Sequence, residues 1–410
     1  MALWVLLLIA GWLLAGCAPA AVMEASPPSR PYTLAVADQF IPTAFVPLDA
    51  ALAPSGEEPL PPMWLPAGGA IGVSTEHTSG RANPDPATTW IVVHDLPGGG
   101  ERGRFHPPVS GHPAGISAGG SRLLWQPFPP VTAYPPPLEY YVLDTAAGSV
   151  LGHVQDENNA CFRQSALFDP QMKRLICVAD PALVSPLEAS PLRLVAYDVA
   201  SGARAAELEL PDVLVGMTAA QETNAGIVQT FLEPAVAFSP DGRTLVVVDA
   251  ASERITLIDA ASLAVERSFT PRRGLRVWDL LGLGVSPAAA KGVARGTLRH
   301  AVFSDDGRLL YVFSQIMREE GETGEGGLRV IDLERERLAA DALGGYQVQW
   351  VLPAPDGTVY AFGTTGELLA PHQIVEDAPS MLWRLDGRTL AVLAERPFVG
   401  YRGGRLISAP

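Results

Sequence analysis

Apolar positions along this chain fall into short runs that recur in one order around one phrase. Ala235-Val236-Ala237-Phe238 is an uninterrupted apolar run, suited to a strand buried on both faces. Ser239-Pro240-Asp241-Gly242 comes next. Pro pre-sets the backbone at the second turn position and Gly suits the fourth, so Phe238 is expected to pair with Leu245. Leu245-Val246-Val247-Val248 and Ile255-Thr256-Leu257-Ile258-Asp259 are the predicted second and third strands. Val265, Arg267 and Phe269 then alternate with Ala264, Glu266 and Ser268, the period of a half-exposed fourth strand. The turn phrase returns as Phe303-Ser304-Asp305-Asp306-Gly307-Arg308, and more loosely as Ala354-Pro355-Asp356-Gly357 and Phe168-Asp169-Pro170. A repeat of this size fixes the architecture before any single residue does.

The third-strand signature, an apolar run closed by Asp, occurs six times. The copies end at Asp95, Asp144, Asp198, Asp259, Asp332 and Asp386. Four antiparallel strands, dry inside and wetter outside, make one blade of a β-propeller, so the predicted class is all-β with four-stranded blades. The chain ends supply a further sheet, with 401–408 from the C-terminus and 32–37 and 45–52 from the N-terminus. Joining both ends in one blade closes the ring and removes exposed strand edges. The expectation is therefore seven blades, with six as the alternative.

The stretches 238–249 and 255–265 resemble a blade of the YVTN-type bacterial β-propellers, relatives in shape of WD-repeat proteins, and 300–339 matches almost as well. In place of the Val-Thr-Asn element stands Val248-Asp249-Ala250. The resemblance implies a fold and little about activity.

Composition agrees with that reading. Of 410 residues, 48% are apolar and 18% charged, enough to bury a large core, and 38 prolines and 40 glycines punctuate the short runs. The net charge is −15, and no basic run exceeds Arg272-Arg273, so polyanions are repelled and nucleic acid is not an expected partner. Residues 1–16 carry no charged side chain and stop at Cys17. That is shorter than the roughly 20 apolar residues of a spanning helix and reads as the apolar region of an export signal. Leu14-Ala15-Gly16-Cys17 resembles the lipobox of bacterial lipoproteins, which implies cleavage before Cys17 and acylation of its sulfur and new N-terminus. An unlipidated secretory signal or an N-terminal membrane anchor is the alternative. Residues 17–31, with Pro19, Pro27, Pro28 and Pro31, then form an extended tether to a single domain over 32–410. The expected location is extracytoplasmic, with the lipid as the only membrane contact.

Export permits a disulfide between Cys161 and Cys177, but a simple hairpin argues against it. If Phe168 faces Leu175, Cys177 faces Ala166, and Cys161 lies five residues further along the strand. At about 3.3 Å per residue that exceeds the roughly 7 Å limit on Cα separation.

In a four-stranded meander the first-to-second and third-to-fourth connections share one rim. Here they are tight, at 239–242, 260–263, 200–203 and 146–149, and that rim is read as structural. The long connections, 179–191, 211–233, 270–299, 315–327 and 363–380, fall on the opposite rim. Loops on a rigid scaffold concentrate binding residues. The candidate binding rim accordingly comprises Trp278, Arg299, His300, Glu319, Glu320, Trp350, His372 and Glu376.

Other motifs read as structural. Gly115-Ile116-Ser117-Ala118-Gly119 matches the Gly-x-Ser-x-Gly elbow of serine hydrolases, yet Ser117 aligns with the turn Ser239, and a strand comes after it where a helix is needed. His94, His106 and His112 lack metal-ligand spacing. The six strand-ending Asp residues sit where Asx turns form. The acidic, Gly-rich 319–327 lacks the ligand spacing of a calcium loop, and 98–102 lacks the ending of a phosphate loop. No cofactor, metal or catalytic set is expected. The function expected is a non-catalytic interaction module for an envelope protein, small molecule or glycan. The alternative is a metal-assisted enzyme using His300, His372 and Glu376.

Overall fold

The repeat folds as six antiparallel blades. In the computed structural model the described residues are 33–38, 46–48, 52, 71–77, 85–95, 100–128, 138–156, 166–179, 189–217, 221–223, 226–228, 231–272, 296–316, 326–365, 380–398 and 404–409. The first blade is described by three strands, Ile71–His77, Thr89–Asp95 and Glu101–Phe105. The second consists of Gly111–Ile116, Arg122–Pro127, Leu138–Asp144 and Val150–Asp156, and the third of Ala166–Phe168, Arg174–Ala179, Ser190–Asp198 and Arg204–Met217. Ala235–Phe238, Thr244–Val248, Ile255–Asp259 and Val265–Phe269 form the fourth. The fifth has Gly296–Phe303, Leu309–Ile316, Leu328–Asp332 and Arg337–Ala342; the sixth has Tyr346–Pro353, Thr358–Thr365, Ser380–Asp386 and Val392–Phe398. Among the described residues six blades are seen, the alternative expected, and a seventh four-stranded blade is not. The two chain ends do pair, Thr33–Asp38 lying between Gly404–Ala409 and Val46–Leu48, but in a sheet of three strands without the four-stranded meander.

Register is set by the turn chemistry. Phe238 pairs with Leu245, Phe168 with Leu175 and Ala166 with Cys177, as expected. In all six blades the third and fourth strands slip register immediately before the residue that precedes the signature Asp, as at Leu257/Ile258 and Arg384/Leu385. This shared bulge twists the outer strand away from the sheet. Four residues after the Asp, a left-handed residue closes the turn: Gly148, Gly202, Leu263, Glu336 and Leu390, with φ between 52° and 67°.

Alternating burial on adjacent blades produces one apolar core per interface. Leu143, Trp125 and Ile91 join the first blade to the second; Leu138 and Val142 meet Leu175 and Val195 between second and third. Leu192 and Leu194 meet Leu245 and Ile258 between third and fourth. Val246 and Leu257 meet Phe303 and Leu310 between fourth and fifth, and Val330 meets Trp383 and Leu385 between fifth and sixth. Burying each such side chain contributes about 1.5–3 kcal/mol, so these interfaces hold the blades together.

One expectation on the cysteines fails. Cys177 is disulfide-bonded, against the hairpin argument. That argument assumes a straight strand from Ala166 back to Cys161, and 157–165 lie outside the described residues. Cys17 and Cys161 lie outside the described residues, as do the whole of 1–32 with the expected signal and tether. No helix among the described residues is long and apolar enough to cross a membrane.

Candidate functional site

On the tight-turn rim the described backbone groups are satisfied from within the turns. The phrase makes the same bonds in successive blades. Ser239 Oγ donates to Asp241 Oδ1 at 2.6 Å and accepts from Thr244 N–H at 2.9 Å; Ser304, Asp306 and Leu309 repeat these contacts at 2.6 and 2.9 Å. Ser117 Oγ accepts from Arg122 N–H at 3.0 Å, and Asp169 accepts from Lys173 N–H at 2.6 Å. The fourth turn position is left-handed in each copy, Gly120, Met172, Gly242, Gly307 and Gly357. At Gly242 a Cβ would lie 3.3 Å from Pro170, because the turns of the third and fourth blades abut.

A second set of bonds links this turn to the third strand's end. Thr145, Val199, Ala260, Leu333 and Gly387 donate to the carbonyls of Ser121, Lys173, Arg243, Arg308 and Gly357 at 2.8–3.1 Å. Between blades, Ala118 N–H reaches Pro170 O at 3.1 Å and Tyr311 Oη donates to Gly387 O at 2.8 Å. The signature Asp side chains cap their own turns. Asp144 accepts from Ala146 and Ala147, Asp198 from Ser201, Asp259 from Ala261 and Ser262, Asp332 from Arg335 and Asp386 from Arg388 and Thr389. Side-chain bonds from Ser201, Ser262 and Thr389 hold Asp198, Asp259 and Asp386 below the usual carboxylate range.

On the opposite rim, strands run further into the expected connections than the sequence suggests. Arg204–Met217 takes up the start of 211–233, and Phe231–Glu233 pairs antiparallel with Gly216 and Met217 and parallel with 296–298. This strand ties the third blade to the fifth, and a small hairpin, Gln221–Thr223 with Gly226–Val228, lies in the same insertion. Arg299 and His300 therefore sit in the first strand of the fifth blade, opposite Ser314 and Phe313, and Trp350 sits in the first strand of the sixth beside a register shift opposite Phe362. His300 is half-buried, its ring stacked on Phe313 at 5.2 Å, and burial pushes its imidazole below the usual range. Trp278, Glu319, Glu320, His372 and Glu376 lie outside the described residues.

A cavity of about 650 Å³ opens on the tight-turn rim between the fourth and fifth blades, a feature without a signal in the sequence. Its floor is apolar, with Phe303, Leu257 and Leu333 all buried. Its mouth carries Asp241, Glu266, Asp305, Asp306 and Glu334 against Arg267 and Arg308. Both cations are engaged: Arg308 Nη2 donates to Glu334 Oε2 at 2.9 Å, and Arg267 Nη2 donates to Leu333 O at 2.9 Å. Ser239 and Arg243 hold Asp241 below the usual range. Partial loss of hydration and the neighbouring Asp306 push Asp305 above it, although its side chain still reaches solvent.

The remaining motifs take structural positions. Ser117 is buried in its turn, and the strand Arg122–Pro127 comes directly after that turn. His94 Nε2 lies 2.8 Å from Ser74 Oγ, while His106 Nδ1 lies 2.8 Å from Thr89 O with its ring 3.7 Å from Trp90. His112 faces Phe128 at 5.5 Å, so the three rings do not converge. Among the described residues no three His, Cys, Asp or Glu side chains group to hold a metal ion.

No protein-family model and no curated protein matches the chain. Solved structures similar to it include the β-propeller domain of Cps50 (Swd1) from Myceliophteria thermophila, 13% identical over 82% of this chain and 86% of that one, with a TM-score of 0.44. BamB from Moraxella catarrhalis is 14% identical over 85% of this chain and 95% of that one, with a TM-score of 0.39. These likenesses extend to shape and not to chemistry or partners.

Proposed function

We propose that this chain is a non-catalytic interaction module, a β-propeller held outside the cytoplasm by acylated Cys17 and presenting its long-connection rim to a partner. The observation that carries the reading is the asymmetry between the rims. One end of every blade from the second to the sixth is built of short turns whose backbone groups are bonded internally. The long insertions lie at the other end, where loops on a rigid frame are free to vary in sequence without cost to the core. Leu14-Ala15-Gly16-Cys17 supports the anchor. Pairing of Thr33–Asp38 with Gly404–Ala409 supports a further reading, in which the terminal sheet acts as a partial seventh blade that closes the ring.

Arg299, His300 and Trp350 contribute to the rim from inner strands, with Trp278, Glu319, Glu320, His372 and Glu376 on the long connections. The test is capture from envelope extract by the immobilised domain 32–410, with and without shortening of 317–325 and 366–379. A partner enriched by the intact domain and lost on shortening fits the proposal; equal capture by both contradicts it. Labelling with a radioactive fatty acid that disappears in Cys17→Ser checks the anchor. A stoichiometric tightly bound metal would instead favour an enzyme that uses His300, whose charged form burial disfavours.

A further inference from the structure

The cleft between the fourth and fifth blades lies on the rim opposite the proposed binding loops, so its role is independent of theirs. Its floor, Phe303, Leu257 and Leu333, is at least nine-tenths buried from solvent yet faces the cavity. Its mouth has an excess of carboxylates over guanidiniums, and both guanidiniums are already bonded to Glu334 and Leu333. Asp241 and Asp306 are committed to their own turns through Arg243 and Arg308 N–H, each at 3.0 Å. Asp305 and Glu266 line the same cleft and hold no hydrogen bond or ion pair among the described residues. Asp305 stands where the neighbouring copy of the turn has Pro240, so the turn itself does not require a carboxylate there.

We propose that this cleft docks an arginine side chain presented by a protein partner, with the guanidinium between Asp305 and Glu266 and the stem laid on Phe303 and Leu257. Charge complementarity selects a cation. The apolar floor selects one on an aliphatic stem, since long basic side chains lie along apolar surface while keeping their charge at the edge. A planar guanidinium also bonds carboxylates in a fork and stacks on an aromatic ring, which an ammonium does less well. A free small molecule needs most of its surface enclosed, whereas every charged residue of this mouth is exposed on the rim. A side chain carried by a partner is already ordered by contacts elsewhere, and arginine is enriched among the residues that dominate such interfaces.

The probe is the peptide acetyl-Gly-Arg-Gly-amide, titrated by calorimetry at low salt, with its citrulline and lysine counterparts. Saturable binding of the arginine peptide is expected, with the lysine peptide weaker and the citrulline peptide silent. Asp305→Asn with Glu266→Gln should weaken it about tenfold, while Glu209→Gln with Glu395→Gln, an exposed pair distant in sequence with the same change in net charge, should alter it less than about twofold. Melting temperatures matching the wild type show that both double variants remain folded. The proposal is overturned by no saturable binding, by equal loss in the two double variants, by a lysine peptide that binds equally well, or by n-butylguanidinium binding as tightly as the peptide, which would assign the cleft to a free small cation.

Discussion

Removing one hydroxyl tests how firmly the tight-turn rim ties neighbouring blades. Tyr311 is 3% exposed, and its Oη donates at 2.8 Å across the fifth–sixth interface to the buried Gly387, whose own N–H bonds Gly357 O. Tyr311→Phe keeps the ring in its core and deletes only this bond. A neutral hydrogen bond contributes about 1 kcal/mol net, and leaving a buried carbonyl without that donor raises the cost to about 1–3 kcal/mol. Tyr141→Phe is the control: its half-buried hydroxyl donates to Glu139 at 3.1 Å at the surface, and its loss should stay within about 0.5 kcal/mol. Urea denaturation monitored by circular dichroism reads both through the shift in midpoint at constant slope. Burial pushes the Tyr311 phenol up to about 12, so its absorbance should remain that of the neutral form at about pH 11 in the folded protein. Equal stability of Tyr311→Phe and wild type would refute the claim that the bond across this interface is dry and native.

Other positions give further outcomes. Ser117→Ala should destabilise the protein by about 1 kcal/mol, as should Ser239→Ala and Ser304→Ala, because all three oxygens accept the same backbone N–H; an effect on a hydrolase assay without loss of stability would contradict the turn role. Leu263→Gly relieves a left-handed backbone worth about 1 kcal/mol but removes a side chain 2% exposed, worth about 2–5 kcal/mol, so denaturation should show net destabilisation. Reduction of the Cys177 disulfide, or Cys177→Ser, should lower stability by about 2–5 kcal/mol, measured by denaturation with and without reductant. Asp198, Asp241, Asp259 and Asp386 have lowered folded pKa values, so the stability they contribute is present above the ordinary value of 3.8 and lost as pH falls through their folded values. A thermal melt series from about pH 6 to about pH 2 should therefore fall mainly below about pH 4, and Asp→Asn variants at these positions should flatten the decline.

Local chemistry makes much of this fold legible. Pro240 and Gly242 specify one turn geometry, and that alone sets Phe238 against Leu245; the weaker Phe168-Asp169-Pro170 gives the same register with Met172 in place of glycine. The Asp residues that close third strands announce their Asx turns because a carboxylate two or three residues before a free N–H has little else to do there. Long-range features leave no such trace. The strand Phe231–Glu233 is three residues long and pairs with 296–298, far along the chain, so no periodicity marks it. Extending a straight strand past Ala166 argues against a bond at Cys177, yet Cys177 is bonded, a link that hairpin register alone does not report. The cleft has no local signal because it arises from two copies of the same turn on adjacent blades, and neither copy alone differs from a structural one except at Asp305.

Residue-resolved hydrogen exchange at the tight-turn rim decides whether one end of the propeller is closed by its own backbone. Turn amides in most proteins exchange quickly, whereas here Thr145, Val199, Ala260, Leu333 and Gly387 each donate to a fixed carbonyl in the same place in successive blades. These five should exchange as slowly as the central strands, with the outer strands Val150–Asp156, Val265–Phe269 and Val392–Phe398 faster. Rapid exchange at the five positions would show that rim to be open, and the asymmetry between the two ends would be lost.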